Sequence, residues 1–280
     1  MPLIDAHHHV WRLGIAPYRW MAGTTWDSIR RDFEFKELRD DLVLCGISKT
    51  ILVQADNTLE DCEHVRSVAT SEAAVAGFVG WVPLTEAAAV GDALDRLTDS
   101  GKFLGVRHVL GFEADDNWVL RPDVVQGLRA LQQRRLVFEV NCDRPAFLRH
   151  VPTLAKLLPD LTMVVNHIGK PPIGAQGWEP WASDLARAAA CPNVYAKLSG
   201  LTTPVRPGWS GEDFRPYINH AVDVFGPRRL MYASNWPVTL VAGSYVQQWE
   251  ALRIALDTLS DDERAEVYGK AAARCYRLDL

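Results

Sequence analysis

Short apolar runs recur along the whole chain and predict its strands. Several of these runs are continuously apolar rather than alternating, which is typical of parallel strands whose two faces are both covered. The pattern predicts eight strands, at residues 3–7, 50–54, 76–81, 104–107, 136–141, 162–167, 194–198 and 229–234.

The segments between these strands carry apolar residues at helical spacing. Pro122 and Pro145 each precede such a stripe, and proline is favoured in the first turn of a helix. A third stripe covers residues 214–225. Asn57 and Glu60 have the spacing of a capping box, which predicts the start of another helix.

Eight strands that alternate with helices in about 250 residues predict a (β/α)8 barrel, also called a TIM barrel. A doubly wound open sheet also alternates strands and helices and is the alternative. No glycine-rich phosphate loop follows a predicted strand, and the alternation continues evenly to the C-terminus, so the barrel is favoured. No composition break or linker divides residues 1–280, which predicts a single domain.

Histidines collect where a barrel would carry its chemistry. Active sites of such barrels lie at the carboxyl ends of the strands. Of the eight histidines, those at predicted strand ends are His7, His8, His9, His108 and His167. Scattered histidines would not gather at one end of the fold, so this concentration predicts an active site there.

The first strand predicts how its histidines are oriented. Alternate residues of a strand share a face, so Asp5, His7 and His9 are expected to point into the barrel and His8 outward. Two imidazoles that face one centre suit either a divalent metal or an acid–base pair. The residues alone leave both possibilities open.

Composition narrows the class of protein. The chain has 280 residues, a net charge of −5 and five cysteines without a CxxC pair. Mild acidity argues against a nucleic-acid partner, and the cysteine pattern argues against a disulfide framework. No long apolar stretch or leader pattern is present, so we expect a cytoplasmic protein that does not enter membranes. The expected partner is a small molecule, and the sequence does not indicate an oligomeric state.

Aromatic and basic residues near the predicted strand ends suggest how a small molecule is held. Tryptophan presents a flat face with a polar edge, which suits the C–H face of a sugar ring. Basic side chains in the same loops can receive a carboxylate or hydroxyl groups. The predicted substrate-binding residues are Trp26, Trp81, Lys170, Lys197 and Trp236, and Arg206 lies in the same loops.

Six motifs and a closing segment carry a family resemblance. In chain order they are IDAHHHVW at 4–11, GW at 80–81, GVRH at 105–108, NHIGKP at 166–171, KLSGL at 197–201, SNWPV at 234–238 and GKAAARCY at 269–276. Together they resemble the amidohydrolase-related lactonases of the amidohydrolase superfamily, a group that includes sugar-lactone and pyrone-dicarboxylate lactonases. The resemblance covers essentially the whole chain.

The resemblance implies an active site residue by residue. The family's paired histidines fall on His7 and His9, and its sixth-strand histidine falls on His167. Arg107 and His108 fall on the family's fourth-strand motif, which implies that they hold a lactone carbonyl or a substrate carboxylate. The cofactor is expected to be either none or one divalent metal such as zinc on the three histidines.

Asn235 departs from the family pattern. The family usually has an aspartate at this strand-8 position, where it activates the attacking water. A carboxamide cannot take a proton from water and ligates metals poorly. Three explanations remain open: His167, His9 or Asp5 is the base while Asn235 holds the water; a metal lowers the pKa of the water; or the chain is weakly active or inactive.

The resemblance implies hydrolysis of a small lactone, an aldonolactone or a carboxylated lactone, by direct attack of water. A metal-dependent decarboxylase of an aromatic or related carboxylic acid is one alternative, because relatives with this scaffold include such enzymes. A non-catalytic sugar-acid binding protein is another, because the strand-8 carboxylate is missing at Asn235.

Overall fold

Eight parallel strands form the centre of the protein. A computed structural model describes residues 2–174, 177–202 and 208–280, so Arg206 lies outside the described residues. Each strand pairs with the next along the chain, which confirms the predicted barrel architecture. The strands are β1 (Leu3–His8), β2 (Ile47–Val53), β3 (Val75–Gly80), β4 (Phe103–His108), β5 (Val137–Val140), β6 (Met163–Val165), β7 (Val194–Leu198) and β8 (Leu230–Tyr232).

Helices connect the strands and cover the barrel. They are α1 (Arg39–Leu44), α2 (Leu59–Ser71), α3 (Ala87–Thr98), α4 (Pro122–Gln133), α5 (Pro145–Leu157), α6 (Trp181–Ala189), α7 (Gly211–Phe225), α8 (Tyr245–Ala255), α9 (Asp261–Ala265) and α10 (Ala271–Tyr276). The predicted helices after Pro122 and Pro145 are confirmed, as is the stripe at 214–225. The predicted capping box is one residue off, because Thr58 caps α2 by accepting from the Asp61 amide.

Between Asp5 and His8, β1 contains one residue more than the part of β2 that pairs with it. Asp5 pairs with Thr50 and His8 with Leu52, so β1 advances three residues while β2 advances two. An extra residue of this kind breaks the alternation of faces. The prediction that Asp5 shares a face with His7 is therefore wrong: Asp5 lies on the outer side, where the Tyr245 hydroxyl of α8 donates to it at 3.1 Å.

The barrel closes between β1 and the segment after β8. The Asn235 amide donates to the His7 carbonyl and the His9 amide donates to the Trp236 carbonyl, each at 2.7 Å. Asp5 reinforces this closure, since its carboxylate also accepts from the Ser234 amide at 2.9 Å. The closing bonds thus hold the predicted strand-1 and strand-8 site segments side by side.

The opposite end of the barrel is filled by the C-terminal segment. Inward-facing residues of the strands, such as Ile4 and Val164, form one apolar cluster with Tyr276 of α10. Gly269 lies so close to the first strand that a Cβ on it would be 2.4 Å from the Pro2 carbonyl. Among the described residues, no helix is long and apolar enough to cross a membrane.

Asp61 anchors the loop that follows β2. Its carboxylate accepts from the Ala55 amide at 2.7 Å, the Asp56 amide at 3.0 Å and the Tyr18 hydroxyl at 2.8 Å. Burial raises the pKa of this carboxyl from 3.8 to about 6, because desolvation outweighs the hydrogen bonds that favour its charge. Two loops near the carboxyl ends of the strands are therefore held by a group that is costly to ionise.

Asp61→Asn should remove one source of pH-dependent destabilisation. A carboxyl whose folded pKa is raised favours folding fully below pH 3.8, and this contribution is lost as the pH rises through about 6. From about pH 5 to pH 8 we expect the unfolding free energy of the unmodified chain to fall by about 1.4 kcal/mol relative to Asp61→Asn. Urea denaturation at both pH values measures the difference.

Asp262→Asn is the matched control, because Asp262 is an exposed residue of α9. It should keep the pH dependence of the unmodified chain. If Asp61→Asn does the same, the buried carboxyl does not contribute to pH-dependent stability.

Candidate active site

A cavity of about 540 Å³ opens at the carboxyl ends of the strands. A space of this size accommodates one small molecule. The predicted site residues on its wall are His9, Trp26, Arg107, His167, Lys170 and Asn235.

Three histidines come together at the base of this cavity. The Nε2 atoms of His7 and His9 lie 3.1 Å apart, and the ring centres of His7 and His167 lie 5.0 Å apart. His7 and His9 face the same centre. Because of the extra residue in β1, Asp5 does not face that centre. His8 lies outside the barrel, as expected, with its Nε2 2.9 Å from the Thr50 hydroxyl.

Hydrogen bonds fix the protonation of the His7–His9 pair. His9 Nδ1 lies 2.8 Å from the Val53 carbonyl, which only accepts, so this nitrogen carries the proton and Nε2 carries the lone pair. The Lys197 ammonium donates to His7 Nδ1 at 3.2 Å. His7 therefore carries its proton on Nε2 and donates it to His9.

Arg107 places a buried cation beside the histidines. One of its terminal nitrogens, Nη1, lies 3.5 Å from His7 Nε2. The other donates to the carbonyl of Gln54 and, at 3.1 Å, to its Oε1. The Nε of Arg107 is buried and has no partner among the described residues. Gln54 thus holds one side of the guanidinium, and Arg107 borders the cavity.

His167 is held by an unusual backbone. It has a φ of 57°, Ile168 a φ of 40° and Lys170 a φ of 56°, a left-handed region that non-glycine residues rarely adopt. Strained positions of this kind persist where the surrounding structure requires them, often at functional sites. The His167 ring is fixed by a 2.7 Å contact between Nδ1 and the Ser199 hydroxyl.

Asn235 has a similar left-handed backbone, with a φ of 57°. Asparagine tolerates this conformation better than most residues. Its amide is used in the barrel closure, so its position relative to His7 is fixed by the backbone. Its carboxamide borders the same cavity as His9 and His167.

The whole chain matches known proteins. The amidohydrolase family model matches residues 4–278. The chain belongs to the amidohydrolase family. It is 35% identical to an L-fucono-1,5-lactonase of Burkholderia ambifaria, over 99% of this chain and 96% of that protein. It is 32% identical to an L-fucono-1,5-lactonase of Burkholderia multivorans, over 98% and 96%.

A solved amidohydrolase structure has the same overall form. The crystal structure of an amidohydrolase from Burkholderia multivorans with bound zinc superimposes with a TM-score of 0.91. The two chains are 30% identical, and each is covered completely. This amidohydrolase fold is therefore shared over the full length.

Lys197 lies beneath the cavity rather than on its wall. Its ammonium is fully buried and donates to Glu139 at 2.6 Å as well as to His7. The Tyr276 hydroxyl of the C-terminal helix donates to the same Glu139 oxygen at 2.5 Å. The sequence predicts that Lys197 binds substrate. The structure instead places it behind His7, where it cannot touch a substrate.

Three other predicted residues lie behind the wall. His108 is stacked on Trp118 and bonded to the Trp81 indole at 3.0 Å and to Glu113 at 2.7 Å, so both of its ring nitrogens are occupied. Trp81 is not among the residues that line the cavity. Trp236 is 2% exposed and packs against core aromatics. Because alternate strand residues face opposite sides, Arg107 on the inner face requires His108 on the outer face.

The structure also adds residues that the sequence interpretation missed. Trp20 stands beside Trp26 on the cavity wall, with ring centres 5.4 Å apart. Asp143 contributes a carboxylate to the same wall. Asp143 lies two residues beyond the predicted end of the fifth strand at residue 141, so a search slightly further past the strand end would have found it. The Gln54 contacts to Arg107 follow from packing between β2 and β4 and have no sequence signature.

The residues present do not fit a resident divalent metal. The His7–His9 nitrogen distance resembles that of two ligands on one ion, but within the described part of the chain no group of three or more His, Cys, Asp or Glu is arranged to hold a metal. The Lys197 and Arg107 cations stand next to His7, and the strand-8 position supplies an amide. A dication at His7 would meet the Arg107 and Lys197 cations, and the nearby Glu139 carboxylate offsets only one of them.

All three histidines are neutral near pH 7. Burial lowers the pKa of His7, His9 and His167 well below 6.5. Neighbouring cations lower these pKa values further, Lys197 at His7, Arg107 at His9 and Lys170 at His167. Each imidazole therefore keeps one unprotonated nitrogen over the neutral pH range.

Gly200→Ala should displace His167. A Cβ on Gly200 would lie 2.7 Å from Cγ and 2.8 Å from Nδ1 of His167, closer than real contacts allow. A crystal structure of the variant should show the ring moved or its Ser199 contact broken. A displacement of about 1 Å in such a group typically costs about 100-fold in rate.

Gly101→Ala is the matched control. Gly101 has a φ of +69°, close to the +63° of Gly200, but a Cβ on it would meet nothing within 4 Å. Both variants should lose roughly 1–2 kcal/mol of stability from the left-handed backbone. Only Gly200→Ala should move His167; an unmoved ring in that variant would contradict the packing argument.

Proposed function

We propose that this amidohydrolase opens a small sugar lactone by direct attack of water. The observation that carries the proposal is the buried Arg107 beside three neutral histidines at the cavity, in a chain related over nearly its full length to two L-fucono-1,5-lactonases. Ester hydrolysis needs a cation for the developing oxyanion and a neutral base for water. This cluster supplies both.

Arg107 is the proposed oxyanion partner. When water adds to the lactone carbonyl, negative charge develops on the carbonyl oxygen, and a fixed buried guanidinium stabilises that charge without rearranging. Gln54 holds Arg107 in place. The loss of one such donor typically costs about 100- to 1000-fold in rate.

His167 is the proposed base. Asp5 lies outside the barrel, and the lone pair of His9 already accepts the His7 proton, so neither is free to take a proton from water. We assign His167 Nδ1 as the donor to the Ser199 hydroxyl, 2.7 Å away, which leaves the Nε2 lone pair for water. Asn235 holds the attacking water through its carboxamide, which can both donate and accept hydrogen bonds.

His167 both takes up and returns the proton in the proposed reaction. His167 takes a proton as the water oxygen bonds to the carbonyl carbon, forming a tetrahedral intermediate. The intermediate collapses by breaking the bond between the carbonyl carbon and the ring oxygen. His167 then returns its proton to that oxygen, which gives a hydroxy acid and restores the neutral imidazole.

Trp20 and Trp26 are proposed to hold the apolar face of the sugar ring. Their rings meet edge to face at the cavity, and the Trp20 indole is fixed by its bond to the Ala55 carbonyl at 2.9 Å. Aromatic side chains provide broad contact area without strong directional demands. They orient the ring while the histidine cluster meets the carbonyl.

A panel of aldono-1,5-lactones tests the activity. Proton release near neutral pH should show enzymatic ring opening, and prior dialysis against EDTA should leave kcat/KM unchanged because no proposed step uses a metal. A zinc-dependent rate would contradict the charge argument. Absence of turnover on every lactone, with the protein folded, would contradict the lactonase proposal.

Asn235→Asp should change the pH profile. In the unmodified chain the lowered pKa of His167 should keep kcat/KM flat from about pH 6.5 to pH 8, with its acid limb below that range. A carboxylate at position 235 raises the pKa of nearby histidines, so the acid limb should move to higher pH. The profile of kcat/KM on one lactone measures this shift.

Asn and Asp are nearly isosteric, so the variant should melt like the unmodified chain. A rise in kcat would mean that the carboxylate takes over as base. An unchanged profile would mean that residue 235 does not face the reacting groups.

A further inference from the structure

Asp143 is held at the cavity by three separate loops. Its Oδ2 accepts from the Gly111 amide at 3.1 Å, after β4, and from the Asn141 side chain at 2.8 Å, after β5. Its Oδ1 accepts from the Lys170 ammonium, after β6. All four residues border the cavity.

The surrounding backbone is shaped for this carboxylate. A Cβ on Gly111 would lie 3.0 Å from the Asp143 oxygen, so a larger residue there would push this carboxylate aside by a few tenths of an ångström. Lys170 adopts a left-handed backbone conformation, with a φ of 56°. Both features bring a hydrogen-bond donor to Asp143.

The polar cluster of Asp143, Asn141 and Lys170 can form further hydrogen bonds to a ligand. A carboxylate oxygen accepts more than one hydrogen bond, and an ammonium carries three donors. Asn141 is 6% exposed, and its Oδ1 is buried with no hydrogen-bond partner in the described part of the chain. The Asp143 and Lys170 charges offset each other, so the cluster offers acceptors and donors with little net charge.

We propose that Asp143, Asn141 and Lys170 recognise sugar hydroxyls and select neutral polyhydroxylated lactones. Hydroxyl groups both donate and accept, which matches this mixed set, whereas a carboxylated lactone would bring a second negative charge beside Asp143. The proposal rests on the lactone hydrolysis proposed above and assigns its substrate class. The histidines and Arg107 bind the reacting carbonyl, whereas Asp143, Asn141 and Lys170 bind the hydroxyl groups.

The test compares two six-membered lactones that differ in hydroxyl groups, a hexono-1,5-lactone and δ-valerolactone. A site built to hydrogen-bond hydroxyls rejects an analogue that lacks them. The unmodified chain should therefore have the higher kcat/KM on the hexonolactone. Asp143→Asn should reduce this preference about 10- to 100-fold, which is the effect expected from loss of a charged hydrogen bond.

Asp116→Asn is the matched control. Like Asp143, Asp116 is paired with a basic side chain, since its carboxylate lies 3.0 Å from Arg144. Unlike Asp143, it is not part of the cavity wall. This variant should keep the preference for the hexonolactone. Melting temperatures of both variants show whether either loses the fold.

Binding of a 1,5-anhydrohexitol separates recognition from catalysis. This compound has ring hydroxyls and no carbonyl, so calorimetry reports the hydroxyl site even if no lactone is turned over. Weaker binding to Asp143→Asn than to Asp116→Asn supports the inference and does not depend on the lactonase proposal. Equal binding to both variants, or an equal loss by Asp143→Asn on both lactones, overturns it.

Discussion

The extra residue in β1 is the constraint on which the site depends. Without it, the period of two would place Asp5, His7 and His9 on one face, and a buried carboxylate would enter the histidine cluster. With it, Asp5 joins Tyr245 and the Ser234 amide in closing the barrel, while His7 and His9 face inward. One local irregularity therefore separates a structural carboxylate from the candidate catalytic imidazoles.

The histidines are held in place by groups far from the cavity mouth. Tyr276 of the C-terminal helix bonds to Glu139, Glu139 pairs with Lys197, and Lys197 donates to His7. A buried ion pair with additional hydrogen bonds can fix geometry even where its net stabilisation is small. The helix that fills one end of the barrel thus sets the protonation of a histidine at the other end.

The sequence predicted the barrel and much of the site because strand ends are visible in the apolar pattern. The gathering of His7, His9 and His167 at one end of the barrel followed from their positions at predicted strand ends. The errors arose where local geometry overrode the pattern. The extra β1 residue reversed Asp5, and the inward position of Arg107 excluded His108 from the cavity. Lys197 could not be placed, because a strand residue below the cavity and one on its wall have the same sequence pattern.

Asn235 is consistent with the charges around it. With neutral histidines, the buried charges near His7 are Arg107, Lys197 and Glu139, which leave one net positive charge. An aspartate at position 235 would cancel that charge and make the cluster more favourable to a cation. In the proposed reaction, asparagine leaves this positive charge to stabilise the developing oxyanion, and the same charge disfavours a divalent metal. The net positive charge from the two cations therefore explains both the missing carboxylate at position 235 and the poor fit to a metal.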